Sequence, residues 1–438
     1  MAGSQQGYTD ERGVSRRLRA WYLYDWANSA YVTTVAVTLL PAWFAKGIVT
    51  GQEVATPIGG LAPESLWALA NGAAALLVFA AAPFLSAIAD LSATRRPFLI
   101  LFAMIGAAST AALSLMGPGM VMETLLVFML CQVCFVSANI FYDSFLPLLV
   151  GHGGLDEASS RGYALGYVGG GLNLLIAAGL ITFHGSLGMT ASEAIKVAMV
   201  LSGAWWALFS IPAAMRLKDP PIAAGGRRPR SISRAIASAP ASILSAVRKM
   251  ISRPETFRFL IAFLLYNEGI QTVIQMATIY GRQALGLSTG FLTSTLLGVQ
   301  AVAAIGALSF SWLASRISAL WAICLGLIIW IVIILYAAFL LKGPADYLVL
   351  ALAIGAVLGG TQALSRSLFA SMVPAGMSAE YFSFYSVASK LAAVTGPLLF
   401  AISREYSGSI RAALLSTLFF FLSGLALLTL GRSCQKNP

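Results

Sequence analysis

The sequence predicts an all-α membrane protein with twelve transmembrane helices in two pseudo-symmetric six-helix bundles. Three observations lead to this fold class. The chain is 58% hydrophobic and only 10% charged, whereas a soluble chain carries about 25% charged residues. The charges lie between long apolar stretches, and the two halves of the chain resemble each other.

Twelve apolar stretches are long enough to cross a bilayer. A hydrocarbon core of ~30 Å needs about 20 helical residues, and within lipid a helix satisfies its own backbone hydrogen bonds. Nine stretches carry no charged residue, and the other three contain His184, Glu268 or Lys390; Arg258 stands at the cytoplasmic edge of the seventh. In chain order the stretches are 26–45, 65–89, 97–122, 124–142, 162–184, 197–215, 257–281, 283–315, 317–341, 347–365, 381–403 and 412–431.

The basic residues predict the orientation of these spans. With the N-terminus inside, 20 of the 28 Lys and Arg residues fall on the cytoplasmic side, six fall on the other side, and Arg366 and Lys390 lie within spans. Cytoplasmic loops carry an excess of Lys and Arg. We therefore expect both termini in the cytoplasm of a multi-pass protein, in a bacterial-type inner membrane. Topology explains the net charge of +11, so no nucleic-acid partner is expected.

A basic linker separates the two predicted bundles. The bundles comprise residues 1–215 and 257–438, and the segment 216–256 between them is expected to be cytoplasmic. The end of this segment predicts either an amphipathic helix on the anionic membrane surface or a solvated linker with a helical patch. The apolar positions at helical spacing are Ile243, Leu244, Val247 and Ile251, with Arg248 and Lys249 opposite.

An internal repeat relates the two halves. LYDWANSAYV in the first span is similar to LYNEGIQTVI in the seventh, which places Asp25 opposite Asn267 in the alignment. NIFYDSFLP in the fourth span is similar to QALSRSLFA in the tenth, which places Asp143 opposite Arg366. Two such halves, related by an axis along the membrane normal, form a known transporter plan with the substrate site between them.

Polar side chains within the spans are the candidates for that site. An ionisable group at the centre of a span costs ~2.5–3.5 kcal/mol on insertion scales and usually faces a cavity or the bundle interior. Most such residues here lie on spans 1, 4, 7 and 10. We expect the substrate cavity to be lined by Asp25, Asn28, Asn139, Asn267, Glu268, Gln271, Gln275, Gln362 and Lys390.

Asp25 has two interpretations. It precedes the uncharged stretch that starts at Trp26, and aspartate is a good N-cap, so it could cap a helix that begins there. The repeat favours the other interpretation, because Glu268 lies about eleven residues inside span 7. By analogy span 1 begins near Arg16 to Arg19 and contains Asp25.

Charged residues near the cytoplasmic ends of the spans predict a gate. Asp143 and Arg366 occupy equivalent positions with opposite charges, so a pair between the halves would hold this end closed; an ion pair of purely structural role is the alternative. The second span ends in LSAIADLSATRRPF. There Asp90 is placed to cap a neighbouring helix, while Arg95 and Arg96 either lock the loop or simply satisfy the charge rule.

Family resemblance adds to this interpretation. SAIADLSATRR resembles the loop between helices 2 and 3 of the major facilitator superfamily. It keeps the aspartate and the terminal arginine pair. It departs at Ser86 and Ala93, where glycines are usual, and at Leu91, where an arginine is usual, which implies a reduced locking network.

Four further segments resemble one family within that superfamily. LYDWANSAY, SRGYALGYVGGGL, FLLYNEGIQTVIQMATIYG and GGTQALSRSLFASMVP are similar to the "unknown major facilitator" family, which is related to the fungal autophagy-linked vacuolar amino-acid effluxers. Relatives often have aspartate in the span 7 motif where this chain has Asn267 or Glu268. The resemblance implies a twelve-helix transporter and, only loosely, amino-acid export.

The residues argue against an enzyme. The chain has two histidines, no HExxH motif and no P-loop, so we expect no catalytic centre, metal or cofactor. We expect a monomeric secondary transporter that moves a small polar solute, such as an amino acid, by alternating access. Burial disfavours an ionised carboxyl group, so proton coupling is also expected. A transporter of another small metabolite or a lipid-like substrate, and a lipid scramblase, are the alternatives.

Overall fold

Helices account for nearly all of the chain that the structure describes. The computed structural model describes residues 11–51, 53–56, 59–219, 231–407 and 410–430. Eleven of its helical segments are long and apolar enough to cross a membrane. A further helix of 30 residues, Ser378–Ser407, stands at the eleventh predicted span and carries Lys390. The prediction of an all-α protein with twelve membrane helices is therefore confirmed.

The described segment before residue 252 contains nine α-helices and one two-stranded hairpin. Short 3₁₀ turns, Leu113–Leu115, His152–Gly154 and Gly185–Leu187, end or connect some of these helices. In chain order the elements are α1 Glu11–Ala30, α2 Leu40–Trp43, β1 Val54–Thr56, β2 Gly59–Leu61, α3 Pro63–Ser92, α4 Arg95–Ala112, α5 Val121–Ser144, α6 Leu146–Leu149, α7 Leu155–Thr182, α8 Ala191–Arg216 and α9 Ile232–Ile251.

The rest of the described chain is helical. These elements are α10 Pro254–Gln283, α11 Thr289–Ile317, α12 Ala319–Phe339, α13 Pro344–Met372, α14 Ser378–Ser407, α15 Ile410–Ser416 and α16 Leu418–Leu430.

The chain divides into two compact units. The first comprises Met1–Phe145 with Leu165–Ala239, and the second comprises Leu146–Ala164 with Pro240–Pro438. Each unit has a core of large aromatic side chains. Trp21, Tyr31 and Trp206 are fully buried in the first unit, and Trp330 and Phe421 are fully buried in the second.

The first span changes its helical geometry partway across. It begins at Gly13, well before the uncharged stretch, and ends at Ile48. After α1 the backbone continues as a π-helix over Tyr31–Leu39, and a second π-helical segment covers Phe44–Ile48. The hydroxyl of Thr38 donates to the carbonyl of Thr33, five residues earlier, at 2.7 Å. Such segments are rare and are frequent at functional sites.

Glycines let two helices of the second unit approach closely. A Cβ atom at Gly306 of α11 would overlap the carbonyl oxygen of Ala356, and one at Gly359 of α13 would overlap that of Ala303. Small residues permit this kind of backbone contact between membrane helices.

We expect Gly306→Ala to destabilise the protein. Alanine gains about 1 kcal/mol of helix propensity over glycine, but separating the two helices costs roughly 1–3 kcal/mol and leaves their other contacts stretched. Thermal unfolding of the purified protein measures the balance. Gly290→Ala, in the same helix with open space around the added carbon, is the matched control and should be neutral or stabilising. Equal melting temperatures for the two variants would contradict the packing argument.

Candidate functional site: polar side chains within the spans

Asp25 lies in the interior of the first helix. The helix is continuous from Glu11 to Ala30, so Asp25 follows more than three turns of helix. This placement excludes the alternative in which Asp25 caps a helix that starts at Trp26. Its carboxylate is a side group within a membrane span, where it requires polar partners.

Tyr142 supplies one such partner. Its hydroxyl donates to Oδ2 of Asp25 at 2.8 Å. The Tyr142 ring is stacked on Trp21, with centroids 4.4 Å apart and planes 11° apart, and Nε1 of Trp21 donates to the carbonyl of Tyr142 at 2.8 Å. The aromatic pair therefore fixes the position of the hydroxyl that binds the carboxylate.

A second polar contact lies one turn further along the first helix. Nδ2 of Asn28 donates to Oδ1 of Asn139 at 2.6 Å, and Asn28 is only 3% exposed. Spans 1 and 4 are thus joined by two successive side-chain hydrogen bonds, Asp25–Tyr142 and Asn28–Asn139.

The fifth span packs against the same part of the first span through glycines. A Cβ atom at Gly166 would approach the hydroxyl of Ser29 to 2.9 Å, and one at Gly170 would approach that of Thr33 to 2.7 Å. Close helix packing explains this pair of glycines in the GYALGYVGGG segment, and it leaves little space on that side of Asp25.

In the second unit, Glu268 is buried at 3% exposure in the middle of α10. Its neighbours on the helix make hydrogen bonds to other helices. The hydroxyl groups of Tyr266 and Ser365 are 2.6 Å apart. Nδ2 of Asn267 lies 3.4 Å from both the carbonyl and the hydroxyl of Ser389. The two residues that precede Glu268 thus make polar contacts to α13 and α14.

The remaining predicted cavity residues of the second unit lie on three helices. Gln271 is half-buried and Gln275 is exposed, both on α10. Gln362 on α13 and Lys390 on α14 are half-buried. Because Lys390 follows the residue that contacts Asn267, its backbone lies beside the polar part of α10.

Positions that correspond in the sequence repeat are in contact in both units. Tyr24 and Tyr266 are equivalent, and Tyr142 corresponds to Ser365 by the alignment that matches Asn139 with Gln362. In the first unit the rings of Tyr24 and Tyr142 are 5.0 Å apart. In the second unit Tyr266 is hydrogen-bonded to Ser365. The repeat therefore extends to specific contacts between the first and fourth helix of each half.

Arg366 is buried at 2% exposure within the second unit. Its Nε donates to the hydroxyl of Ser159 and its Nη2 to the carbonyl of the same residue, both at 2.9 Å. Its guanidinium lies 4.1 Å from the centre of the Tyr163 ring. The adjacent Ser367 donates to Oδ1 of Asp156 at 2.5 Å. The start of α7 thus holds the guanidinium in a fixed orientation.

The loop after the second span is held by two carboxylates. Oδ1 of Asp90 accepts from Nε of Arg95 at 2.7 Å, and both side chains are nearly fully buried. Oδ1 of Asp219 accepts from the backbone N–H of Arg96 at 3.0 Å. That N–H lies in the first turn of α4, where an anion is favoured. Burial raises the pKa of Asp219, and the hydrogen bond from Arg96 opposes this shift.

Ala93 stands where the similar loop of the major facilitator superfamily usually has glycine. It ends α3 in the left-handed conformation, with φ of 53°. Glycine adopts this conformation without the Cβ clash that costs other residues roughly 1–2 kcal/mol. Ala93 therefore adopts the left-handed conformation that the loop requires, and its backbone is strained.

Sequence reasoning missed several neighbours of the predicted residues: Tyr142 beside Asp25, Ser159 and Tyr163 beside Arg366, and Asp219 beside Arg96. The repeat aligns Tyr142 with Ser365, but it does not show which residues either of them contacts. No signal in the sequence pointed to these neighbours. Among the described residues, no group of three or more His, Cys, Asp or Glu side chains is placed to hold a metal ion.

Comparison with known proteins identifies relatives along the whole chain. A family model described as "Vacuole effluxer Atg22 like" matches residues 14–158 and 154–435. An uncharacterized MFS-type transporter of Bacillus subtilis, YxiO, is 29% identical over 427 residues, covering 94% of each chain. Autophagy-related protein 22 of Vanderwaltozyma polyspora is 25% identical over 484 residues, covering 95% of this chain and 90% of the relative.

Solved structures of major facilitator transporters share the fold. The human organic anion transporter MFSD10 (TETRAN) superposes with a TM-score of 0.70 at 17% identity, covering 96% of this chain and all of that chain. The Escherichia coli fucose:proton symporter FucP superposes with a TM-score of 0.66 at 14% identity, covering 96% of this chain and 98% of that chain. Both likenesses concern the fold alone.

Proposed function

The chain belongs to the Atg22-like vacuole effluxer family and is a multi-pass membrane transporter of the major facilitator superfamily; from this premise we propose that it exports a small zwitterionic solute of the amino-acid class. The observation that carries the proposal is the set of polar side chains that the helices hold within the membrane spans. Asp25, Asn28 and Glu268 lie in the membrane-spanning part of the protein. Polar groups are energetically costly there, and those that occur usually serve a function.

The charges of these groups suit a zwitterion. Asp25 and Glu268 would bind an ammonium group, since carboxylates accept charge-assisted hydrogen bonds. Lys390 would bind the carboxylate of the solute through a charge-assisted hydrogen bond. The amides, Asn28 and its partner on span 4 among them, would bind other polar groups of the solute.

Alternating access would require the two halves, which we place at 1–215 and 257–438, to rock about a site between them. In this scheme the charges of Asp143 and Arg366 close the cytoplasmic end. Asp90, Arg95 and Arg96 stabilise the same end through the loop after span 2. Exchange of a proton for the solute would couple export to the proton gradient.

A ligand-stabilisation screen tests the substrate class. A ligand that binds only the native state raises the stability by about 2.7 kcal/mol at a hundred times its Kd. We expect one or more zwitterionic amino acids to raise the melting temperature of the purified protein, and their esters or N-acetyl derivatives to have no effect. Stabilisation by organic anions or lipid-like compounds alone would contradict the amino-acid class and favour a different cargo.

We also propose that the N-terminus, the C-terminus and the segment 216–256 are cytoplasmic. The distribution of Lys and Arg supports this orientation. A cysteine introduced as Arg230→Cys, with Cys434 replaced by serine, should react with a membrane-impermeant maleimide only after the cells are opened. Labelling at position 230 in intact cells would show the opposite orientation. Lys342→Cys, on the opposite side in this orientation, should give the reverse pattern.

A further inference from the structure

Helix α9 presents three different faces along its 20 residues. Small residues and one methionine form the face that is buried within the protein. Ala235, Ala239 and Ala246 are fully buried on it, and Met250 is 5% exposed. Residues four, seven or eleven positions apart share one side of a helix, so these four lie on one continuous face.

A second face is apolar and exposed. Its largest side chains are Ile236 at 46% exposure, Leu244 at 50% and Ile251 at 59%. With Val247, which is half-buried, they recur at helical spacing next to the buried face. We call Ile236, Leu244, Val247 and Ile251 the apolar stripe. The apolar side of α9 is thus wider than its contact with the protein.

The third face is basic. Arg234, Arg248 and Lys249 are exposed on it, and Arg253 follows the helix. The segment from Ile232 to Arg253 contains no acidic residue. A helix with an apolar stripe beside a basic face has the pattern of a helix that lies in a membrane interface.

Contacts within the second unit place α9 beside the starts of two membrane spans, α10 and α14. Only two residues separate its end from α10, which is the seventh span. The hydroxyl of Ser242 donates to a carboxylate oxygen of Glu380, and Nζ of Lys249 lies 3.4 Å from Sδ of Met377. Both partners lie at the start of α14. An even number of crossings separates the starts of α10 and α14, so both starts lie at the same membrane boundary.

We propose that α9 is a membrane-surface helix that binds anionic lipid. The apolar stripe inserts at the boundary between headgroups and acyl chains, and Arg234, Arg248 and Lys249 bind the phosphate groups. Each basic residue near an anionic surface contributes about 1 kcal/mol. The occupant of the stripe is therefore the bilayer that surrounds the transporter, and this proposal does not depend on the identity of the transported solute.

Spin labels test whether the stripe inserts into lipid. Leu244→Cys and Ile251→Cys are labelled in the full-length protein, reconstituted in vesicles of phosphatidylcholine with phosphatidylglycerol. Ala241→Cys, which is exposed on the polar side, is the control. Cys131, Cys134 and Cys324 are buried, and Cys434 is replaced by serine.

We expect labels at 244 and 251 to be relaxed by oxygen and protected from a soluble nickel chelate, with the opposite pattern at 241. Equal access of the nickel chelate to all three labels would overturn the proposal. Protection from both reagents at 244 would mean that protein covers the stripe, which would also overturn it.

The dependence on anionic lipid is tested with charge variants. Phosphatidylglycerol added to the detergent-solubilised protein should raise its melting temperature more than phosphatidylcholine does. The double variant Leu244→Asp with Ile251→Asp should lose this difference. The matched control, Ala241→Asp with Ser252→Asp, adds the same charge at exposed positions on the basic side of the helix and should keep most of it. Equal losses in the two double variants would show a simple charge effect and contradict insertion of the stripe.

Discussion

Asp25→Asn and Glu268→Gln are expected to insert and fold like the wild type and to lose transport. Asparagine retains an oxygen that accepts the hydrogen bond from Tyr142, so the local geometry survives while the charge is removed. Removal of a buried charge seldom harms stability in a membrane span, because the charge is costly there. A hydrogen bond to a charged group is worth about 1.5–3 kcal/mol, so we expect at least a tenfold loss of substrate affinity. Thermal unfolding and solute flux, measured on the same preparations, separate the two effects.

Tyr142→Phe is the companion variant for Asp25. It removes the hydroxyl that binds Asp25 and keeps the ring stacked on Trp21. If the hydroxyl positions the carboxylate for substrate, transport should fall while the protein stays folded. Full activity of the Asp25→Asn protein would show that the charge of Asp25 does not take part in substrate binding, whatever the activity of Tyr142→Phe.

Asp143→Asn and Arg366→Gln are each expected to impair transport strongly, and exchange of the two charges is expected to restore part of it. Arg366 is fixed by Ser159 and Tyr163, so its replacement also removes contacts that do not involve the gate. The single variant of Arg366 should therefore be the more severe. Coupled residues show interaction energies of 0.5–3 kcal/mol in double-mutant cycles. Flux measured for the wild type, Asp143→Asn, Arg366→Gln and the protein with both of these substitutions gives this value.

An ion pair at the surface provides the control for the variants of Asp143 and Arg366. Glu157 and Arg161 are paired one turn apart, but their side chains are 60% and 55% exposed. Such pairs are worth only ~0.3–0.5 kcal/mol, so Glu157→Gln should leave transport nearly unchanged. Additive losses for Asp143 and Arg366 would contradict their coupling and favour independent structural roles.

The spans were predictable because hydrocarbon imposes a simple rule on the sequence. A helix that crosses a bilayer must be long and apolar, so the uncharged stretches mark the helices, and the repeat shows that span 1 resembles span 7. The same comparison placed Asp25 inside its helix, where the structure finds it.

Backbone geometry and long-range contacts were not predictable in this way. The π-helix at Tyr31–Leu39 has the composition of an ordinary apolar helix, so no residue type marks it. The segment Leu146–Ala164 precedes the linker in sequence, yet it forms part of the second unit, because Ser159 and Asp156 bind α13. Contacts of this kind depend on tertiary packing, which local patterns do not encode.

Gradient-driven exchange in vesicles tests the central claim most directly. Purified wild-type protein is reconstituted in vesicles loaded with an unlabelled amino acid selected by the stabilisation screen, and uptake of the labelled compound is followed. The account predicts saturable counterflow by the wild type and none by Asp25→Asn, with both proteins equally incorporated and folded. Counterflow of the same rate and saturation in Asp25→Asn, or non-saturable leakage in both proteins, would contradict a carrier whose substrate site is built on the polar groups of its spans.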